Sequence, residues 1–139
     1  MAESLNLATS ILAIRQLAAQ ITQLSYSYAC VVNNPPKTQK RFLWEVSTLV
    51  EVLFRVERAM TETESMGLLP SCPALPGVDF FTDCQTELSA LYSELQKRNS
   101  RFLMPFQDRE LQQHIDTLHK FRTVFTEFIS SSILHVLHW

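Results

Sequence analysis

The sequence predicts an all-α fold: an up-and-down helical bundle of four main helices, with room for a short extra helix. Three observations carry that prediction. The two glycines, Gly67 and Gly77, fall in one stretch together with Pro70, Pro73 and Pro76, so the helix breakers are concentrated and long runs are free of them. Within those runs apolar residues recur at steps of three and four. Strand signals are missing, with neither hairpin dipeptides nor sustained alternation.

The first helix is predicted over residues 4–32. Leu7, Ile14, Leu17, Ile21, Leu24, Tyr28 and Val31 form a heptad-like stripe with Ser10 in its gap, and Ala8, Ile11, Leu12 and Ala18 widen it. The opposite side carries Gln16, Gln20, Thr22 and Gln23, polar but uncharged; from Met1 to Pro36 only Glu3 and Arg15 carry charge. Asn33-Asn34-Pro35-Pro36 ends this helix and opens the next, because proline is tolerated in a first helical turn. The second helix, 36–64, repeats the pattern with Phe42, Val46, Leu49, Leu53, Val56 and Met60. On its outer face Arg41 and Glu45, Glu51 and Arg55, and Arg58 and Glu62 stand four apart, which predicts an ordinary solvated face of ion pairs.

Residues 65–78 are predicted to be a loop packed through Leu68, Leu69 and Leu75. A shorter third helix fits 79–97, with Phe81, Cys84, Leu88, Leu91 and Leu95 on one side and either Asp79 or Thr82 as its cap. A break is expected at Arg98-Asn99-Ser100-Arg101. The last helix spans 105–135, its core drawn from Leu111, Ile115, Leu118, Phe125, Phe128 and Ile129; the apolar Ile133–Trp139 end is left unassigned.

Composition narrows the function. A chain of 139 residues suits one domain, able to bury roughly 65–70% of its unfolded surface without a metal or disulfide staple. A net charge of −2, from 12 basic and 14 acidic residues, argues against nucleic-acid binding. Cys30, Cys72 and Cys84 are odd in number and irregular in spacing, so neither a zinc site nor a disulfide framework is expected, and Cys84 reads as a small core residue. The N-terminus lacks a basic signal-peptide start, and Asn6, Arg15, Gln16, Gln20 and Gln23 interrupt the first helix too often for a permanent transmembrane span, so a cytoplasmic location is expected. His114 and His119 are five apart and share no face; His135 and His138, three apart, are too few for a closed metal site and show no acidic partner. The serines sit in helical runs without a nucleophile elbow, and Glu45, Glu51 and Glu57 face basic residues. No enzymatic activity, cofactor or metal is expected.

The order of segments carries a resemblance. LNLATSILAIRQLAAQI from Leu5 to Ile21 precedes the proline-initiated PPKTQKRFLWEVSTLVEVL; then come a loop, a short helix with Cys84-Gln85 and Glu87-Leu88, and Arg101-Phe-Leu-Met-Pro-Phe106 leading through Glu110 into a long helix. This closely resembles the fungal N-terminal domain of STAND (NOD-like receptor-type) proteins, grouped as HeLo-like, over roughly residues 3–130. In that family the fourth segment reads Leu-Thr-Trp-Pro-Phe. Leu103, Pro105 and Phe106 match it, while Met104 replaces the tryptophan. Pro105 and Phe106 would set the entry to the last helix. A phosphate loop and ankyrin-type repeats, which accompany the domain in such receptors, are missing from this sequence.

The resemblance implies an N-terminal signalling or cell-death effector module. It would act by self-association or through a protein partner, with membrane lipid as a further target and recruitment to the plasma membrane through the first helix. The residues expected to serve as the membrane or oligomerisation helix are Leu5, Leu7, Ile11, Leu12, Ile14 and Leu17. For the first helix the competing reading is a central helix packed in the bundle. For the chain they are a protein–protein interaction module that dimerises or recruits a partner through helix surfaces with no membrane step, and a small-ligand carrier or enzyme accessory, which would need a roomy internal pocket.

Overall fold

The computed structural model describes residues 2–31, 37–65, 76–100 and 108–138, with side chains over 9–27, 37–62, 76–77, 79–97 and 109–131. Four helices make up these segments: α1 (Ala2–Val31), α2 (Lys37–Ser65), α3 (Val78–Ser100) and α4 (Asp108–His138). Only Pro76 and Gly77 among the described residues are non-helical, and no strand or extra helix occurs among them. The fold class is therefore all-α, as the spacing of apolar residues requires.

The helices pack in an order different from their order in the chain. α2 packs on both α1 and α4, and α1 packs on α3. Phe80 of α3 closes the ring, meeting Phe121 and Phe125 of α4 edge-to-face at 5.7 and 5.3 Å between centroids. Going round the bundle the order is α3, α1, α2, α4, so α2 and α3 stand at diagonal corners.

The core is drawn from all four helices. α2 contributes Phe42, Val46, Leu49, Val52, Leu53, Val56 and Met60, and α4 contributes Leu111, Ile115, Leu118, Phe121, Phe125 and Phe128. Phe81, Cys84, Leu88 and Leu91 come from α3, with Leu95 packed against them; Ile129 does the same on α4. Phe80 stacks edge-to-face on Phe81, Phe121 and Phe125, which adds about 0.5–1.5 kcal/mol per pair beyond area burial, and Phe81 meets Phe125 at a tilt. Burial pushes the Cys84 thiol up to about 12, so it is held as a neutral thiol, a small apolar core group.

Three sequence expectations need correction. The buried seam of α1 runs Ile11, Ile14, Ala18, Ile21, Ser25, leaving Leu17 and Leu24 only half-buried and Leu12 38% exposed. Hydrophobicity alone points to the leucines; volume decides otherwise. α1 lies against two helices, and small Ala18 and Ser25 let its backbone approach them closely, as in any tightly packed interior. The N-cap of α3 is neither Asp79 nor Thr82. Gly77 O accepts from the amides of Phe80 (3.1 Å) and Phe81 (3.3 Å), which makes Gly77 the cap. Asp79 sits instead in the first turn, where the helix dipole favours its charge. Finally, α3 runs on to Ser100, through the expected break: Arg98, Asn99 and Ser100 are polar, but none is a glycine or proline. Leu68, Leu69, Leu75 and Cys72 lie outside the described residues, as does the side chain of Cys30.

Candidate interaction surface

The outer face of α2 departs from an ordinary charged surface in two places. Trp44 and Phe54 are 59% and 53% exposed, although α2 buries seven other apolar side chains on its inner face. Each ring is held by an arginine from a neighbouring helix, and each arginine also meets an α2 carboxylate.

On the α4 side, Arg122 Nε donates to Glu45 Oε1 at 2.7 Å, and its guanidinium carbon lies 5.4 Å from the Trp44 ring centre. Arg122 Nη2 also lies 2.7 Å from His119 Nδ1. Because a guanidinium can only donate, Nδ1 accepts here. Glu45 is the buried carboxylate of the cluster, its side chain only 6% exposed. Glu45 was expected on a solvated face paired with Arg41; that is wrong. Glu45 falls between the outer face and the core stripe, one residue past Trp44, and so points at α4. His119 likewise has an acidic neighbour, Glu45 at 3.6 Å, which no sequence spacing could show because 74 positions separate them.

On the α1 side, Arg15 Nε approaches Glu57 Oε2 at 2.8 Å. The contact is an ion pair off the hydrogen-bond line, since buried Nε has no directed acceptor. The Arg15 guanidinium carbon stacks 4.4 Å from the Phe54 ring centre. Between α1 and α2 these residues line an open surface groove of about 650 Å³ with Arg55 and Arg58. The expected Glu51–Arg55 pair is present at 3.0 Å, fully at the surface.

Both clusters share one construction: a cation from outside, an α2 carboxylate that fixes it, and an α2 aromatic that it covers. Cation–π contacts of this kind contribute about 0.5–1 kcal/mol at exposed sites. They also hold the aromatic side chains in one orientation before any partner arrives. Tryptophan and arginine dominate binding hot spots, and a preordered anchor loses less entropy on docking.

Of the residues expected to form a membrane or oligomerisation helix, the four whose side chains are described do not share one surface. Ile11 and Ile14 are fully buried, Leu17 is half-buried against the core, and Leu12 is exposed. The side chains of Leu5 and Leu7 lie outside the described residues, as do Leu103, Pro105 and Phe106, His135 and His138. Among the described residues no helix is long and apolar enough to cross a membrane, and no group of histidine, cysteine or acidic side chains could hold a metal ion. Trp44, Phe54, Glu45 and Arg122 were the residues sequence reading missed. The available signal was two large aromatics placed off the core stripe of a well-patterned helix.

Comparison of the chain with protein-family models, with curated proteins and with solved structures finds no match.

Proposed function

We propose that the chain is a helical interaction module serving as the N-terminal signalling or effector domain of a fungal STAND-type system, working by self-association or recruitment of a protein partner and without chemistry of its own. The observation that carries this reading is the pair of exposed, arginine-clamped aromatics on α2, Trp44 and Phe54. The four-helix bundle is the architecture the resemblance implies. Cytoplasmic residence fits the reading.

The test is expression of the chain in fungal cells, with growth and viability as readout. A response that appears with expression, is lost in the Trp44→Ala/Phe54→Ala variant and returns when that variant is clustered through a fused dimeriser supports the module. Clustered wild-type protein with no effect on the cells overturns it.

A membrane role for α1 is favoured by one feature, its near absence of charge. It requires the helix to leave the bundle, because the apolar seam faces inward. Liposome leakage separates the two readings: leakage that Leu12→Asp abolishes, in a variant that stays folded, supports insertion through α1.

A further inference from the structure

The bundle carries two unpaired ridges of opposite charge at diagonal corners. Lys37, Lys40 and Arg41 are exposed at the start of α2, and none of them forms an ion pair among the described residues. The first turn of α2 holds no acidic residue. Cations at this end oppose the helix dipole, and Lys37 and Arg41, four apart, repel one another. On α3, Asp79, Asp83 and Glu87 are exposed, also without an ion pair among the described residues. They too stand four apart and repel. The dipole accounts for Asp79 in the first turn, but its influence fades within that turn and leaves Asp83 and Glu87 unexplained. Each ridge therefore sets like charges against one another with no gain to the monomer.

Apolar contacts match as well. One turn beyond Arg41, on the same face of α2, stands exposed Trp44. Beside the acidic ridge lies a groove between α3 and α4 of about 410 Å³, floored by Phe80 and Phe121 and rimmed by Asp83 and Glu87, with Lys120 on the far side. Lys37 and Arg41 on α2, and Asp79, Asp83 and Glu87 on α3, are spaced by about 6 Å, the rise of four helical residues, and Lys40 stands next to Arg41.

We infer that a second copy of this chain occupies the groove, the Trp44 indole of one molecule entering between α3 and α4 of the next while Lys40 and Arg41 meet Asp83 and Glu87. Trp44 flanks α4 from α2 and the groove flanks it from α3, so the contact joins two different surfaces. Made in one direction only, it runs head-to-tail into a ring or a filament. Lys120 meets the face of the incoming indole as a cation over a ring. This inference rests on the self-association arm of the proposed function and supplies its interface.

The experiment is sedimentation velocity of the full chain against concentration and salt, with two charge-reversed variants, Lys40→Glu/Arg41→Glu and Asp83→Lys/Glu87→Lys. All four positions are exposed, and circular dichroism verifies folding. Wild type is expected to associate at low ionic strength and to weaken as salt screens the ridges. Each variant alone is expected to stay monomeric, and an equimolar mixture to associate again, because each reversed ridge then faces an opposite charge. A merely structural role for these residues gives no rescue. In a Trp139→Phe background, Trp44 emission is expected to shift to the blue on association. If wild type associates but the variants do so equally, or the mixture fails to recover, this interface is wrong and self-association stands through another surface. A wild type that remains monomeric at every salt and concentration overturns both the interface and the self-association arm; the clustering response in cells then decides the rest of the functional reading separately.

Discussion

Removing Arg122 tests whether the α2–α4 cluster holds the bundle or merely decorates it. Glu45 keeps only 6% of its side chain in contact with solvent, and Arg122 keeps 22%. Breaking a fully buried pair by deleting one partner costs roughly 3–5 kcal/mol, because the remaining charge is stranded. The Arg122 side of the pair is partly hydrated, so about 2–4 kcal/mol is the expected loss for Arg122→Met after that discount. For a chain of this size a loss of 1 kcal/mol lowers Tm by roughly 3–4 °C, which places the variant about 6–15 °C below wild type. Replacing both partners, Glu45→Met with Arg122→Met, removes the stranded charge and restores most of the loss, since apolar side chains of similar volume fill the space. The assay is a double-mutant cycle by urea unfolding, with a coupling energy of about 1–3 kcal/mol expected. Two single losses that simply add in the double variant refute the argument, as does an Arg122→Met variant within about 0.5 kcal/mol of wild type.

Three shorter predictions follow from burial. Ser25 Oγ is buried with no hydrogen-bond partner, so Ser25→Ala is expected to raise stability by roughly 1 kcal/mol; an unchanged or lower urea midpoint contradicts this. Adjacent positions on α1 separate fold from surface: Ile11→Asp is expected to unfold the chain, and Leu12→Asp to leave its circular dichroism and Tm nearly intact. Cys84 has its folded pKa raised from 9.0 to about 12, so the folded state keeps the proton that the unfolded state releases, and stability falls as pH rises between those values. Wild type should therefore lose more stability than Cys84→Ala over that interval, and Cys84 in folded protein should resist thiol reagents at neutral pH.

The apolar period was sufficient for α2, where every residue assigned to the core stripe, from Phe42 to Met60, is buried. On α4 it missed buried Phe121, which a strict stripe through Leu118 and Phe125 passes over, and it included Ile129, which is only partly buried against the core. α1 was harder because its polar side is uncharged and its apolar residues spread well beyond one stripe. A broad apolar face fixes the presence of a helix but leaves several rotations open. Packing volume then set the rotation, and Ala18 and Ser25 won over Leu17 and Leu24. The surface of α2 was legible only in part. Glu51 and Arg55 meet within one helical turn, a distance the sequence contains. Glu45 and Arg122, or Arg15 and Glu57, meet only when two helices have packed, and nothing local encodes which carboxylate takes which partner.

The same clusters bear on whether α1 can leave the bundle. Ile11, Ile14 and Ile21 are fully buried, and at roughly 2 kcal/mol each their exposure alone costs about 6 kcal/mol. The whole stability of a domain is about 5–15 kcal/mol. Spontaneous release of α1 is therefore close to unfolding, and a membrane or partner must take up that apolar seam as it emerges. Release also withdraws Arg15 from Glu57 and from the face of Phe54, which frees the α2 surface at the same moment. Docking at Trp44 leaves Arg15 in place and asks nothing of the core. Of the two routes to assembly, the one through α2 and the α3–α4 groove has the lower cost. It is the first that a rising concentration of folded protein would populate.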